Sequence, residues 1–111
     1  MGSLSEQQLN QVFQALADPT RRAVVQQLCA RDASVSDLAE PFGMALPSFT
    51  QHLKVLESCG LITSEKQGRT RICSLNQSTF IATQEWLDQQ RTYWSNTLDA
   101  LAEYVESHPD H

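Results

Sequence analysis

VSDLAEPFGMALPSFTQHLKVLESCGLITSEKQGRTRICSL, residues 35–75, reads as two short helices followed by a hairpin. Its spacing predicts a helix from Ser36 to Phe42 that stops at Gly43, a second from Pro47 to Ser58, and a hairpin turning at Gln67-Gly68. Two helices joined by a tight turn form a helix-turn-helix, whose second helix lies in the DNA major groove, and the hairpin is then its wing. At about 100° per residue, Phe49, Leu53 and Leu56 share one face of the second helix, with Leu46 at its edge. Pro47, Thr50, Gln51 and Lys54 cluster opposite. Thr50 and Gln51 suit base edges, since Gln pairs in bidentate fashion with adenine, and Lys54 is placed for a phosphate. Any solvated helix is polar outside, so this face alone does not decide the matter.

The hairpin adds weight. Leu61 to Glu65 and Thr70 to Leu75 are strand-like and bracket a glycine turn, with Lys66, Arg69 and Arg71 near its tip and only Glu65 beside them. That is more cation than solubility requires. Strand parity leaves the direction of Arg71 open, and on either face it is expected to meet phosphate.

The net charge of −5 looks wrong for a nucleic-acid binder until it is divided along the chain. Through Asn76, Arg21, Arg22, Arg31, Lys54, Lys66, Arg69 and Arg71 balance Glu6, Asp18, Asp32, Asp37, Glu40, Glu57 and Glu65. The deficit lies beyond, where Arg91 stands against Glu85, Asp88, Asp99, Glu103, Glu106 and Asp110. A basic reading segment and an acidic distal one suit a protein that turns one side to DNA.

With 111 residues and 41% hydrophobic content, the chain fits one small globular domain spanning 1–111. It has neither a signal-like start nor the roughly 18 consecutive apolar residues of a membrane helix, so a cytoplasmic protein with no membrane partner is expected. Met1-Gly2-Ser3 has Glu6 where a myristoylation site wants Ser or Thr and reads as a disordered end or a cloning remnant; residues 1–4 and 107–111 are expected to be disordered.

A first helix is expected from Ser5 to Ala17, with Leu9, Val12, Phe13 and Leu16 at helical spacing. Asp18 as N-cap and Pro19 as first helical residue launch a second through Cys29, with Val24, Val25 and Leu28 facing the core. Arg21 and Arg22 in its first turn oppose the helix dipole, which points to a phosphate or carboxylate partner or to an ion pair with Asp18 or another acidic neighbour. From Gln77 to about Ser107 no Gly or Pro intervenes, so one long helix is expected. Phe80, Leu87, Trp94 and Leu101 recur every seven residues, Leu98 and Val105 mark the intervening seam, and Trp86, Tyr93 and Tyr104 widen the stripe. A second chain would cover this surface; the alternatives are a helix folded wholly onto its own domain and a Trp-lined ligand pocket.

LADPTRRAVVQQL, VSDLAEPFGMALPSFTQHLKVLESCGLI, GRTRICSL and EWLDQQRTYW, in this order, resemble the ArsR/SmtB-type winged-helix transcriptional repressors from about Leu9 to Glu106. The resemblance implies a mainly α fold of about five helices plus a two-stranded wing. It further implies a homodimer built on the first and last helices, here Leu9, Phe13, Leu87, Trp94, Leu98, Leu101 and Val105, that represses by occluding a pseudo-palindromic double-stranded operator. By the same resemblance Pro47 to Ser58 is the recognition helix, Ser48, Thr50 and Gln51 face bases, His52-Leu53 is the family's His-Leu pair, and Arg69 and Arg71 belong to the wing. His52 then packs and hydrogen-bonds beside the reading face rather than acting as a ligand.

Two departures stand out. Ala45 replaces the usual capping Ser, a loss of about 1 kcal/mol, and Gln51 replaces the Arg or Lys of many relatives, shifting affinity toward the wing. The metal-sensing motifs are absent: the third helix has Val35-Ser36-Asp37-Leu38 in place of Cys-x-Cys, the last lacks Asp-x-His, and His108 with His111 offers no closed set, so no metal and no cofactor are expected. Cys29, Cys59 and Cys73 read as reduced, small apolar residues, with a thiol sensor of oxidants, sulfur species or trivalent arsenicals as the alternative. The effector is open. A winged helix that binds an acidic protein instead of DNA is a further reading; an enzyme is not expected, for want of a paired-carboxylate, Cys-His or glycine-rich motif.

Overall fold

A computed structural model describes residues 4–108. Eight elements follow one another: α1 (Glu6–Leu16), α2 (Pro19–Ala30), β1 (Ala33–Ser34), α3 (Val35–Ala39), α4 (Leu46–Ser58), β2 (Ile62–Gln67), β3 (Thr70–Leu75) and α5 (Gln77–Ser107). The architecture is the expected mainly helical winged helix-turn-helix, with differences that have local causes.

Each early helix opens on a side-chain cap. Ser5 Oγ accepts from the Gln8 N–H at 3.1 Å, Asp18 Oδ2 from Arg21 N–H at 3.1 Å ahead of Pro19, and Ser34 Oγ from Asp37 N–H at 3.0 Å. The third helix ends at Ala39, short of Phe42, because Pro41 has no N–H to continue the ladder, and Phe42 N–H closes the turn on Ala39 O.

The wing is a three-stranded antiparallel sheet in the order β1-β3-β2, not a two-stranded hairpin. Ala33 pairs with Cys73 and Ser34 with Ile72, which places Cys73 in the central strand. The second strand lies nearer the tip than the expected Leu61 to Glu65, because Leu61 is held by the end of α4. Gly60, at φ 83°, turns the chain there: its N–H bonds Glu57 O and that of Leu61 bonds Leu56 O, the left-handed helix ending that glycine allows. A Cβ on Gly60 would also lie 3.2 Å from Thr79 Oγ1. Gln67 pairs with Thr70, so the hairpin turns on Gly68-Arg69 rather than Gln67-Gly68, with Gly68 at φ 66° supplying the positive φ of a tight hairpin turn.

Val12, Ala15, Val24, Leu38, Phe49, Leu56 and Cys73 form the fully buried centre, joined by Val25, Leu28, Leu53, Cys59, Leu61 and Ile62. Leu4 packs against this cluster, and Ser107 closes α5 with His108 as its C-cap. The expectations for Met1-Gly2-Ser3 and for residues 109–111, His111 included, lie outside the described residues.

Helix α5 has 31 residues, about 46 Å at 1.5 Å per residue. Only its start meets the body: Thr79 and Thr83 are buried, and the Trp86 ring meets Phe13 edge-on at 5.5 Å. Every described residue from Gln89 onward is exposed. The helix therefore projects, giving extents of 71 × 33 × 24 Å and a radius of gyration of 19.4 Å, against about 13 Å for a compact domain of some 100 residues. It does not fold wholly onto its own domain. No helix among the described residues is long and apolar enough to cross a membrane.

Candidate nucleic-acid interface

Helix α4 is anchored as its period required: Phe49, Leu53 and Leu56 are buried, while Pro47, Ser48, Gln51 and Lys54 are exposed. Leu46, the first helical residue, is more than half exposed. Ala45 caps the helix with no side-chain hydrogen bond, as its methyl group dictates. Thr50 is only half-exposed, and its hydroxyl donates to Leu46 O at 2.9 Å. The lone pairs of that hydroxyl remain for accepting, so at a base edge Thr50 is an acceptor only.

Lys66, Arg69 and Arg71 are exposed on the wing, with Arg69 on the turn itself. Lys66 and Arg71 stand directly opposite across the strands, a like-charge pair that is unfavourable without an anion. Arg71 leans away from it. Its Nη1 donates to Ser64 Oγ at 2.9 Å, and Ser64 Oγ donates to Glu57 Oε1 of α4 at 3.3 Å. That chain joins the wing to the end of α4, so Arg71 acts first as a brace, and Lys66 and Arg69 are the wing cations without such a tie to α4.

Arg21 and Arg22 have partners that neither expected reading named. Arg21 Nε donates to Ala15 O at 2.7 Å and its Nη2 to Gln14 O at 3.2 Å, while Arg22 Nη1 donates to Leu16 O at 2.8 Å. These are the open carbonyls at the end of α1, where the helix dipole favours cations. The two arginines thus cap the end of α1. Arg21 Nη1 also lies 3.1 Å from His52 Nδ1, and Asp18 Oδ2 lies 3.7 Å from the same nitrogen. His52 is thus hydrogen-bonded beside the exposed face of α4. The Arg21 N–H, chiefly, holds the Asp18 carboxyl below its usual range, opposed by desolvation and helped by the Arg21 charge. A depressed carboxyl contributes stability at neutral pH that is lost as pH falls through its folded value.

The cysteines separate by environment. Cys59 and Cys73 are buried and Cys29 is exposed. Burial pushes both inner thiols up, the Glu57 charge pushing Cys73 further, and Cys59 Sγ donates to Leu56 O at 3.3 Å. Both are thereby kept as thiols, the unreactive form. Under native conditions iodoacetamide should modify Cys29 alone, with Cys59 and Cys73 reacting only after unfolding; peptide mass spectrometry reads this, and native labelling of Cys73 would contradict the burial argument. Among the described residues, no three or more of His, Cys, Asp and Glu are grouped to hold a metal.

Of the residues expected at a dimer interface, Phe13, Leu87, Trp94, Leu98, Leu101 and Val105 are exposed in the single chain and Leu9 is half-buried. Five of these seven lie along α5.

This geometry recurs in known proteins. A helix-turn-helix domain family matches residues 16–65, from the end of α1 into β2. The HTH-type transcriptional regulator Rv2034 of Mycobacterium tuberculosis is 33% identical over 91% of this chain and 92% of its own length. A crystal structure of an ArsR family transcriptional regulator, RHA00566, is 49% identical and superposes with a TM-score of 0.76, covering 85% of this chain and 97% of that one. The chain belongs to the ArsR/SmtB family. As a member it is a DNA-binding transcriptional regulator. A second ArsR-family solved structure, an ArsR-like transcriptional regulator from Rhodococcus sp. RHA1, is 30% identical at a TM-score of 0.75, covering 88% of this chain and 92% of that one. Transcriptional repressor SdpR of Bacillus subtilis is 33% identical over 71% of this chain and 88% of its own length.

Proposed function

We propose that this ArsR-family protein is a cytoplasmic homodimeric repressor that occludes a pseudo-palindromic operator, and that it is not an enzyme. The reading rests chiefly on α5, which leaves Leu87, Trp94, Leu98, Leu101 and Val105 in solvent along one stripe. Patches of this kind mark interaction sites, and a symmetric pair of α4 helices would read two half-sites. The similarity to a named repressor supports repression. In this reading Ser48, Thr50 and Gln51 face bases, Pro47 seats the start of α4, and Lys54, Lys66 and Arg69 grip phosphates, with Arg71 reaching DNA only through whatever capacity its tie to Ser64 leaves.

Footprinting of the promoter upstream of the protein's own gene tests DNA binding and yields the site; protection should cover two half-sites. No protection there, with no shift of bulk DNA at low salt, would favour an acidic protein partner instead.

Reading and gripping separate by mutation. Gln51→Ala should relax base preference at one position of each half-site by about 1–3 kcal/mol. Arg69→Ala should weaken all sequences alike and lower the salt slope by roughly one phosphate per subunit. Identical profiles for the two variants across a site library would disprove the division of labour between helix and wing.

Regulation is proposed to use neither metal nor thiol. Zinc, cadmium and nickel at near-stoichiometric levels should leave operator binding intact, as should peroxide, polysulfide and a trivalent arsenical. Release of the wild type but not of a Cys29/Cys59/Cys73→Ser triple variant would establish a thiol sensor.

A further inference from the structure

We infer that His52 is a positioning residue for DNA reading, pinned through the Arg21 guanidinium to the end of α1 so that the rotational setting of α4 is fixed. The inference rests on the DNA-reading role given to α4 above.

The buried contacts of α4, through Phe49, Leu53 and Leu56, are apolar and therefore set its depth more firmly than its roll. Roll matters for reading. With side chains a helix has a radius of about 5–6 Å, so a 20° roll carries a side-chain tip by about 2 Å, enough to break a hydrogen bond to a base. A directional contact on the flank of α4 resists such a roll, and His52 supplies it. It follows Gln51 in sequence and is only partly exposed, with Nδ1 3.1 Å from Arg21 Nη1. A guanidinium has donors only, so Nδ1 must accept and the ring proton sits on Nε2.

Arg21 is itself held. Its Nε and Nη2 are committed to Ala15 O and Gln14 O, and the planar fork leaves Nη1 aimed at the imidazole. Asp18, which caps α2 and lies 3.7 Å from Nδ1, completes the corner. One rigid cation thus joins the ends of α1 and α2 to the reading helix. No shorter or single-headed side chain at position 21 spans the two carbonyls and the ring together.

The test separates the acceptor from the bulk of the side chain. His52→Asn keeps an acceptor where Nδ1 stood, whereas His52→Gln carries it out to where Nε2 stood. Wild type and both variants are taken through selection from a duplex pool with randomised half-sites, then measured on the selected duplex and on an unrelated one. Oligomeric mass and thermal unfolding are recorded for each. The Asn variant should bind the selected duplex within about threefold of wild type, and the Gln variant should lose about tenfold there, without change on the unrelated duplex, in mass or in unfolding. Arg21→Lys should lose a similar factor and combine with His52→Gln by less than the product of the two losses.

Equal behaviour of the Asn and Gln variants, an equal loss on both duplexes, or full additivity with Arg21→Lys would overturn the assignment. A wild type that selects no sequence would refute the DNA-reading role itself and this inference with it, which distinguishes the two failures.

Discussion

Leu98→Asp and Leu101→Asp should each yield a folded monomer that no longer holds the operator. Both leucines are more than half exposed in the single chain, so a carboxylate at either position costs the isolated fold little. Across a two-fold interface the same residue occurs on both sides, and each carboxylate would be buried without a partner at about 3–5 kcal/mol. Operator affinity should fall with the dimer, because one reading head gains nothing from its twin. Light scattering gives the mass and circular dichroism the fold. A wild-type monomer at micromolar concentration, or a variant dimer of unchanged stability, would rule out α5 as the interface.

Phe49→Ala should lower the unfolding free energy by about 3–5 kcal/mol, a large share of the 5–15 kcal/mol typical of a domain. Phe49 is fully buried, sits on the core side of α4, and stacks on Phe42 with ring centres 5.5 Å apart and planes at 29°. Phe42 follows the end of α3, so the pair packs the two helices of the helix-turn-helix together. Urea denaturation followed by circular dichroism measures the loss. A change under about 1 kcal/mol would mean that the site collapses around the missing ring, against the close packing inferred here.

The parts of this molecule that were legible in its sequence are those whose cause is local. Phe49, Leu53 and Leu56 declare the buried face of α4 by spacing alone, Asp18-Pro19 declares the start of α2, and the absence of Gly and Pro declares the length of α5. What could not be read depends on partners distant in the chain. Ala33 and Ser34 are too few to show a strand period, and they become β1 only because Cys73 and Ile72 lie beside them. By sequence, Arg21 and Arg22 stand only against the dipole of their own helix. The short turn through Ala17 that brings the α1 carbonyls to them is a signal that could have been used. Strand parity leaves the direction of Arg71 open, because its contact with Ser64, and through it Glu57, requires knowing how β2, β3 and α4 meet. Thr50 suits a base edge by its chemistry, but its bond to Leu46 O, made within the helix, is invisible in the sequence.

The long uncovered run of α5 also bears on how long each molecule survives. From Gln89 onward no described residue of a lone chain is sheltered, so no tertiary contact holds that part of the helix in place. A helix without tertiary packing opens locally at low cost, and an opened segment is cut by proteases in proportion to its open population. In the proposed dimer a second copy would cover those cleavage sites. Newly made chains would then be cleared quickly while scarce and persist once paired, so lifetime would rise steeply with abundance, and dilution alone would shorten it.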